Sequence, residues 1–365
     1  FSAFYYYRFM ARQNFKMVSI VETARAILTF ILLVAFSWLW GIKGTVVGFF
    51  LCELMLFMVS ALLSKSMHGK VGFNFNPRLI WDLIKVGFPI TIVWWIFILQ
   101  TSADRVISMA MLGKAATGYY GLGVSIISAL ILIPKTVGRV LYPRINEEIG
   151  KDSNQKNLSL LVITPAHTIS LLLPILIGVL ILAAPAIYYY VFPKYLRGLH
   201  SAQILLLGVF FTSLIVNGVN FLVALNKQNK VLRFVLFSLA VNAIVNITLI
   251  KSGFDIEGLA VGTAASGALL TTLVWMSVFK NMGYDRFGQL KEIFNLYLPF
   301  ILLLALLGAF AIVDPSLLSE AGARTIYYTL VFIALFSLML FSVPVLSCRS
   351  RELYNLIRIN AALKS

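Results

Sequence analysis

The strongest constraint on the fold is a series of long apolar stretches that contain almost no charged residues. Of the 365 residues, 60% are hydrophobic and 12% are charged, about half the charged fraction of a typical soluble domain. A helix of roughly 20 apolar residues crosses a bilayer. A membrane β-barrel would need strict alternation, which stretches such as 169–184 lack. The sequence therefore predicts an all-α, polytopic membrane bundle. Ten helices are predicted, at about 17–40, 45–63, 84–111, 117–142, 158–184, 199–225, 231–250, 257–280, 293–313 and 325–345.

The net charge of +16 is unevenly distributed around these helices. If successive loops alternate between the two faces of the membrane, and the last few residues of each helix end are counted with the adjoining loop, 22 of the 30 lysine and arginine residues fall at one face and six at the other. The remaining two, Arg25 and Arg105, lie inside helices. A basic excess marks the cytoplasmic side, so both ends of the sequence are expected in the cytoplasm, in a bacterial inner membrane. The charge is a topology signal, and nucleic acid is not expected as a partner.

Two helix pairs carry matching short patterns, which predicts an internal repeat. Arg-Gln-Asn at 12–14 and Lys-Gln-Asn at 227–229 precede the first helix of each pair, and Gly-x-x-x-Gly opens the second helix at 44–48 and 258–262. If the repeated unit has six helices, four more precede residue 1, and the intact protein has fourteen. The expected regions are the end of an N-terminal lobe (1–63), an inter-lobe linker (64–83), a six-helix lobe (84–280), two additional helices (281–345) and a cytoplasmic tail (346–365).

Residues 81–148 contain four motifs in a fixed order. They are Gly87-x-Pro89 near the start of a helix, Asp104-Arg105 near its far end, Gly118-x-Tyr120 in the next helix, and Pro143 near the close of that one. With these motifs the segment resembles polysaccharide (oligosaccharide-lipid) flippases of the multidrug/oligosaccharidyl-lipid/polysaccharide exporter superfamily, as do 203–230 and 258–266. The resemblance implies a two-lobed, alternating-access carrier, not an enzyme. Such a carrier moves undecaprenyl-diphosphate-linked oligosaccharide to the outer leaflet, beside a polysaccharide polymerase or glycosyltransferases.

A carrier of a diphosphate through hydrocarbon needs cationic and hydrogen-bonding groups within the membrane. The candidate substrate-binding residues are Arg25, Arg105, Lys135, Arg139, Asn217 and Asn220. Lys135 and Arg139 share a helix face, so they either line the inward mouth of the pathway or extend to the lipid headgroups. The asparagines at 217 and 220 either hold helices together or bind sugar hydroxyls.

Three carboxylates inside the predicted spans, Glu22, Glu53 and Asp104, are candidates for coupling or for ion pairs. Arg25 is expected either to pair with one of the two glutamates or to contact anionic substrate. Asp104 and Arg105 point about 100° apart on their helix, so each pairs with a neighbouring helix or contacts substrate. Asp104 is also a candidate for taking up a proton or sodium ion that drives the cycle.

Two other classes of protein compete with the flippase hypothesis. A drug/cation antiporter of the same superfamily shares the two-lobe design, but its cavity should be acidic, whereas basic residues prevail in these spans. A membrane enzyme of glycan assembly needs a large outer loop or a catalytic cluster, and 185–198, the longest outer segment, contains neither. No spacing of cysteine or histidine suggests a metal, so no cofactor is expected.

Overall fold

A computed structural model of the chain describes residues 2–65, 77–151, 155–314 and 324–342 as a bundle of helices. Seven of these helices, with α2 counted once, are long and apolar enough to cross a membrane, which confirms the predicted all-α membrane bundle. The elements are α1 Ser2–Ala11, α2 Phe15–Lys65, α3 Pro77–Met111, α4 Gly113–Gly150, α5 Gln155–Tyr190, a 3-10 helix Pro193–Gly198, α6 Leu199–Ala224, α7 Gln228–Lys251, α8 Asp255–Asn281, α9 Arg286–Val313 and α10 Arg324–Ser342.

Several helices extend beyond the apolar stretches that predicted them. α3 begins at Pro77 and α9 at Arg286, each about two turns before its predicted start, and α4 continues to Gly150. Hydropathy marks only the length that lies in hydrocarbon, whereas a helix continues into the headgroup region as long as its backbone bonds can form. The predicted tail at 346–365, and most of the predicted linker at 64–83, lie outside the described residues.

The chain divides into two compact units, Phe1–Ile80 and Trp81–Ser365. In the first unit, α2 is a hairpin of two membrane helices. The predicted break between 40 and 45 is a single residue, Gly41, with φ 59° and ψ −137°, a conformation that glycine adopts without steric cost. The two arms pack closely because Gly44 and Gly48 have no side chains. A Cβ at either position would overlap the carbonyl oxygen of Phe36 or of Leu32, respectively.

In the second unit α6 is the central helix, and α4, α5 and α8 pack around it. Close approach depends on small residues: Gly123 of α4 faces Ala202, and Gly208 of α6 faces Ala264 of α8. α7 packs mainly on α8. The glycines of the second Gly-x-x-x-Gly motif, Gly258 and Gly262, face α7, as those of the first face the preceding arm of α2.

The two C-terminal helices, α9 and α10, pack on the outside of α5. Ser170 donates a hydrogen bond to the carbonyl oxygen of Leu296 in α9, and His167 Nε2 lies 3.4 Å from the carboxylate of Glu292. Phe332 of α10 fills the space beside Gly178. These contacts fix α9 and α10 to the bundle through buried groups.

Candidate functional site

Asp104 is a buried carboxylate at which four helices of the second unit meet. It lies seven residues before the end of α3 and is 2% exposed. Thr263 of α8 donates to Oδ2 at 2.6 Å, and the Tyr120 hydroxyl of α4 donates to the same atom at 3.1 Å. Asn246 of α7 donates to Oδ1 at 2.8 Å. Both oxygens of the carboxylate are therefore engaged by neutral groups.

A second layer of polar side chains positions these donors. Asn246 also donates to Asn242 Oδ1 at 3.2 Å, and Asn242 donates to the Ser266 hydroxyl at 3.2 Å. Ser238 donates to the carbonyl oxygen of Ser266 at 2.9 Å. All of these groups are fully buried. The network holds α7 and α8 in register, so that the two helices present asparagine and threonine to the same carboxylate.

Local sequence explains why the helices can approach so closely. A Cβ on Gly262 would lie only 1.9 Å from Asn246 Oδ1, so glycine makes the room that the asparagine occupies. Thr263 follows directly and lies beside the carbonyl oxygen of Leu259 at 2.9 Å. Tyr120 comes from the Gly118-x-Tyr120 motif. Two of the three segments that carry the family resemblance, 81–148 and 258–266, thus converge at Asp104.

The electrostatics of the site are those of a single negative charge among neutral oxygens and amides. Within the described residues, no lysine or arginine forms an ion pair with Asp104. A buried carboxylate is costly unless it is hydrogen-bonded, neutralised or paired with a cation. A proton on Oδ2 would let Asp104 donate to Thr263 while Thr263 donates to Leu259. A hard cation would find carboxylate, hydroxyl, amide and carbonyl oxygens, which are its preferred ligands.

α4 presents a second polar feature, a stripe of exposed side chains along one face. The α4 stripe consists of Ser125, Ser128, Lys135, Thr136 and Arg139, all exposed. At 100° per residue they lie on one side of the helix, and the exposed Leu132 lies among them. The hydroxyls donate to backbone carbonyls one turn earlier, at 2.7–2.9 Å, and keep lone pairs for other donors. The stripe runs roughly 21 Å at 1.5 Å per residue, and the opposite face of α4 is the one buried against α6.

The remaining charged candidates are distributed over both units. Arg25 pairs with Glu53 at 2.7 Å inside the α2 hairpin, and both side chains are about one third exposed. The ion pair is thus present, and a contact of Arg25 with substrate stays a prediction, as does the coupling role of Glu22, which is half-buried on the same arm. Arg105 is exposed, on a different side of α3 from Asp104.

Asn217 and Asn220 lie inside the interface between α6 and α4. Asn220 donates to the carbonyl oxygen of Gly138 at 3.1 Å. Asn217 is 2% exposed, and neither polar atom of its amide has a hydrogen-bond partner within the described residues. Both positions are helix contacts, and binding of sugar by either residue stays a prediction.

Six members of the Asp104 network were not predicted as site residues: Tyr120, Thr263, Asn242, Asn246, Ser238 and Ser266. The available signal was the number of polar side chains, an aspartate and two asparagines, in apolar helices where each is costly. Only the packing shows that they share one site.

The fold, a helical membrane bundle, is similar to that of a solved membrane protein. No family profile and no curated protein matches the sequence. A crystal structure of a mutant of the Vibrio cholerae MATE transporter VcmN superposes with a TM-score of 0.66 at 16% sequence identity. The match covers 78% of this chain and 66% of the chain of VcmN, so the sequence spans just under two thirds of that transporter's length. At this identity the likeness defines the fold.

Proposed function

We propose that the protein is a flippase that moves undecaprenyl-diphosphate-linked oligosaccharide from the cytoplasmic to the outer leaflet by alternating access. The observation that carries the proposal is the α4 stripe. Hydroxyl and cationic side chains facing hydrocarbon would be costly, so a stripe of this length fits a hydrated pathway. Its two charged members, Lys135 and Arg139, are both basic and share one end of the stripe.

The stripe matches the chemistry of such a substrate. Arginine holds phosphate oxygens through its planar fork, and lysine acts as a point charge, so this end of the stripe suits a diphosphate. The hydroxyls of Ser125, Ser128 and Thr136 retain acceptor lone pairs, which suit sugar hydroxyls. Arg25 and Arg105 are further candidates for contact with the anionic head. The MATE-type fold and the resemblance of residues 81–148 to oligosaccharide-lipid flippases support the same class.

Asp104 is proposed as the residue that takes up the coupling ion, a proton or sodium. It is buried, carries the charge that a cation needs, and receives all its hydrogen bonds from neutral groups of three other helices. Because α3, α4, α7 and α8 all contribute, a change of charge at Asp104 alters their packing together. Ion uptake would in this way influence the helix that carries the stripe.

A drug/cation antiporter remains the second candidate function, because a solved structure with this fold is a MATE transporter and Asp104 would attract a cation. The location of the charges distinguishes the two hypotheses. The acidic group is buried in the helix contacts, whereas the exposed charges of the α4 stripe are basic. An exposed cationic surface repels organic cations and attracts diphosphates.

The test is a translocation assay in cells whose own gene for this protein has been deleted and which express the intact protein. The amount of lipid-linked oligosaccharide is measured in each leaflet. Lys135→Gln with Arg139→Gln should lower translocation by more than about tenfold, since charge-assisted hydrogen bonds contribute about 1.5–3 kcal/mol each. The matched control is Lys135→Arg with Arg139→Lys, which keeps both charges and should retain most activity. Full translocation by the neutralised variant, or export of lipophilic cations by the wild type, would refute the proposal.

A further inference from the structure

A cluster of four basic side chains lies where the start of α7 meets the end of α8. Lys227 precedes α7, Lys230 and Arg233 lie in its first two turns, and Lys280 lies in the last turn of α8. Lys227, Lys230 and Arg233 follow one another at intervals of three residues, and Lys227 donates a hydrogen bond to Asn281, the residue next to Lys280. Asn246 is roughly 24 Å further along α7 at 1.5 Å per residue. The cluster therefore occupies one corner of the bundle, at the helix ends.

The four charges have no acidic partner in the part of the chain that the structure describes. Lys227 donates instead to the neutral amide of Asn281, and the Lys230 ammonium lies 5.6 Å from the centroid of the Phe234 ring. Like charges that are held together repel each other, so an anion placed among them is strongly favoured.

An apolar surface continues directly from this cluster. Along α7, Phe237, Ile244 and Ile247 follow Arg233 on the same helix face, and their exposed fractions are 55%, 65% and 38%. The spacing of three to four residues, or a multiple of it, places them in one line, roughly 21 Å long at 1.5 Å per residue. A ligand that satisfies both features has an anionic head and apolar chains.

We propose that this corner binds an anionic phospholipid of the bilayer, with its phosphates among the four basic side chains and its acyl chains along α7. Basic pockets between membrane helices at the cytoplasmic side favour such headgroups, and the charge distribution predicts that these helix ends are cytoplasmic. Four positive charges best match a lipid with two phosphates. The apolar face favours a lipid over free phosphate as the ligand. This lipid site is proposed independently of the transport function.

Native mass spectrometry of the intact protein in detergent tests the site, with diphosphatidylglycerol and phosphatidylcholine as added lipids. The wild type should retain the anionic lipid preferentially. Lys230→Gln with Arg233→Gln and Lys280→Gln leaves the Lys227 bond intact and should weaken retention by more than about tenfold, since each basic residue contributes about fivefold. Reversing the residue types, with Lys230→Arg, Arg233→Lys and Lys280→Arg, should restore it.

The matched control neutralises three exposed lysines at other helix ends, Lys114, Lys194 and Lys251, and should retain the lipid as the wild type does. Equal loss in both neutralised variants would show a general effect of net charge and overturn the proposal. Complete displacement of the lipid by inorganic diphosphate would also overturn it, because the apolar face would then contribute nothing. Thermal unfolding of each variant identifies any that fails to fold. If the neutralised variant fails to fold, the comparison of the charge-retaining variant with the wild type tests the proposal, and loss of lipid retention in that variant would contradict it.

Discussion

Replacing Gly262 with alanine should disconnect Asn246 from Asp104 without touching either residue. The new Cβ would lie 1.9 Å from Asn246 Oδ1, whereas Cβ contacts below 3.0 Å essentially never occur. The amide must therefore move by about 1.1 Å relative to α8. It cannot move toward Asp104, because its nitrogen is already at 2.8 Å from Oδ1, close to the lower limit of such a bond. The amide must rotate away, or α7 and α8 must separate.

The expected size of the effect follows from the bond that is lost. A hydrogen bond to a charged group contributes about 1.5–3 kcal/mol, which corresponds to a change of about 10- to 150-fold in the apparent affinity of Asp104 for its ion. The assay is transport by the purified intact protein in proteoliposomes, with sodium varied at fixed pH and pH varied at fixed sodium. The sodium or the proton concentration that gives half-maximal transport should change by about 10- to 150-fold.

A matched control is Gly308→Ala in α9, where no heavy atom lies within 4 Å of the added methyl group. This variant should titrate like the wild type. If Gly262→Ala folds with an unchanged melting temperature and both ion dependences also stay unchanged, Asn246 does not support the charge of Asp104. The buried network would then be a purely structural contact between helices.

Three further variants examine the coupling residue, the helix packing and the ion pair. Asp104→Asn keeps the shape of the site but removes its charge, so transport should lose its dependence on the ion gradient in the proteoliposome assay. Gly178→Ala would place a methyl carbon 2.1 Å from the Phe332 ring and should lower stability by about 1–3 kcal/mol, seen as a lower melting temperature. The exchange Arg25→Glu with Glu53→Arg should recover transport if the pair is structural and leave it lost if Arg25 contacts substrate.

Most of the fold was predictable because the bilayer restricts what an apolar sequence can do. In hydrocarbon every backbone N–H and C=O group must form a hydrogen bond within the protein. A run of about 20 apolar residues without strand alternation therefore forms a membrane-spanning α-helix. The helix ends escaped prediction where they leave the hydrocarbon, as at Pro77 and Gly150. The turn at Gly41 is also shorter than the predicted break between residues 40 and 45.

The site was predictable only in part because its members are distant in sequence. Asp104 stood out as a carboxylate in an apolar helix, but Thr263 is 159 residues away and Asn246 is 142 residues away. A single threonine or tyrosine in a membrane helix is common, so its own position carries little information. Only part of the α4 stripe was predicted from the sequence. Lys135 and Arg139 were predicted because charged residues are rare in apolar helices. Ser125 and Ser128 were not, because the burial pattern of α4 is needed to place them on the same exposed face.

The two Gly-x-x-x-Gly motifs provide a further control that separates packing from ion binding. Gly48 faces Leu32 as Gly262 faces Asn246, and both pairs are 16 residues apart along the chain. A Cβ on Gly48 would lie 2.9 Å from the carbonyl oxygen of Leu32, so Gly48→Ala should also strain its helix pair and lower the melting temperature. Leucine offers no hydrogen bond to a carboxylate, however, and we expect Gly48→Ala to leave the ion dependence of transport unchanged. Equal changes in ion dependence for the alanine variants of both glycines would mean that helix packing in general, rather than the Asn246 contact, determines the affinity of Asp104 for its ion.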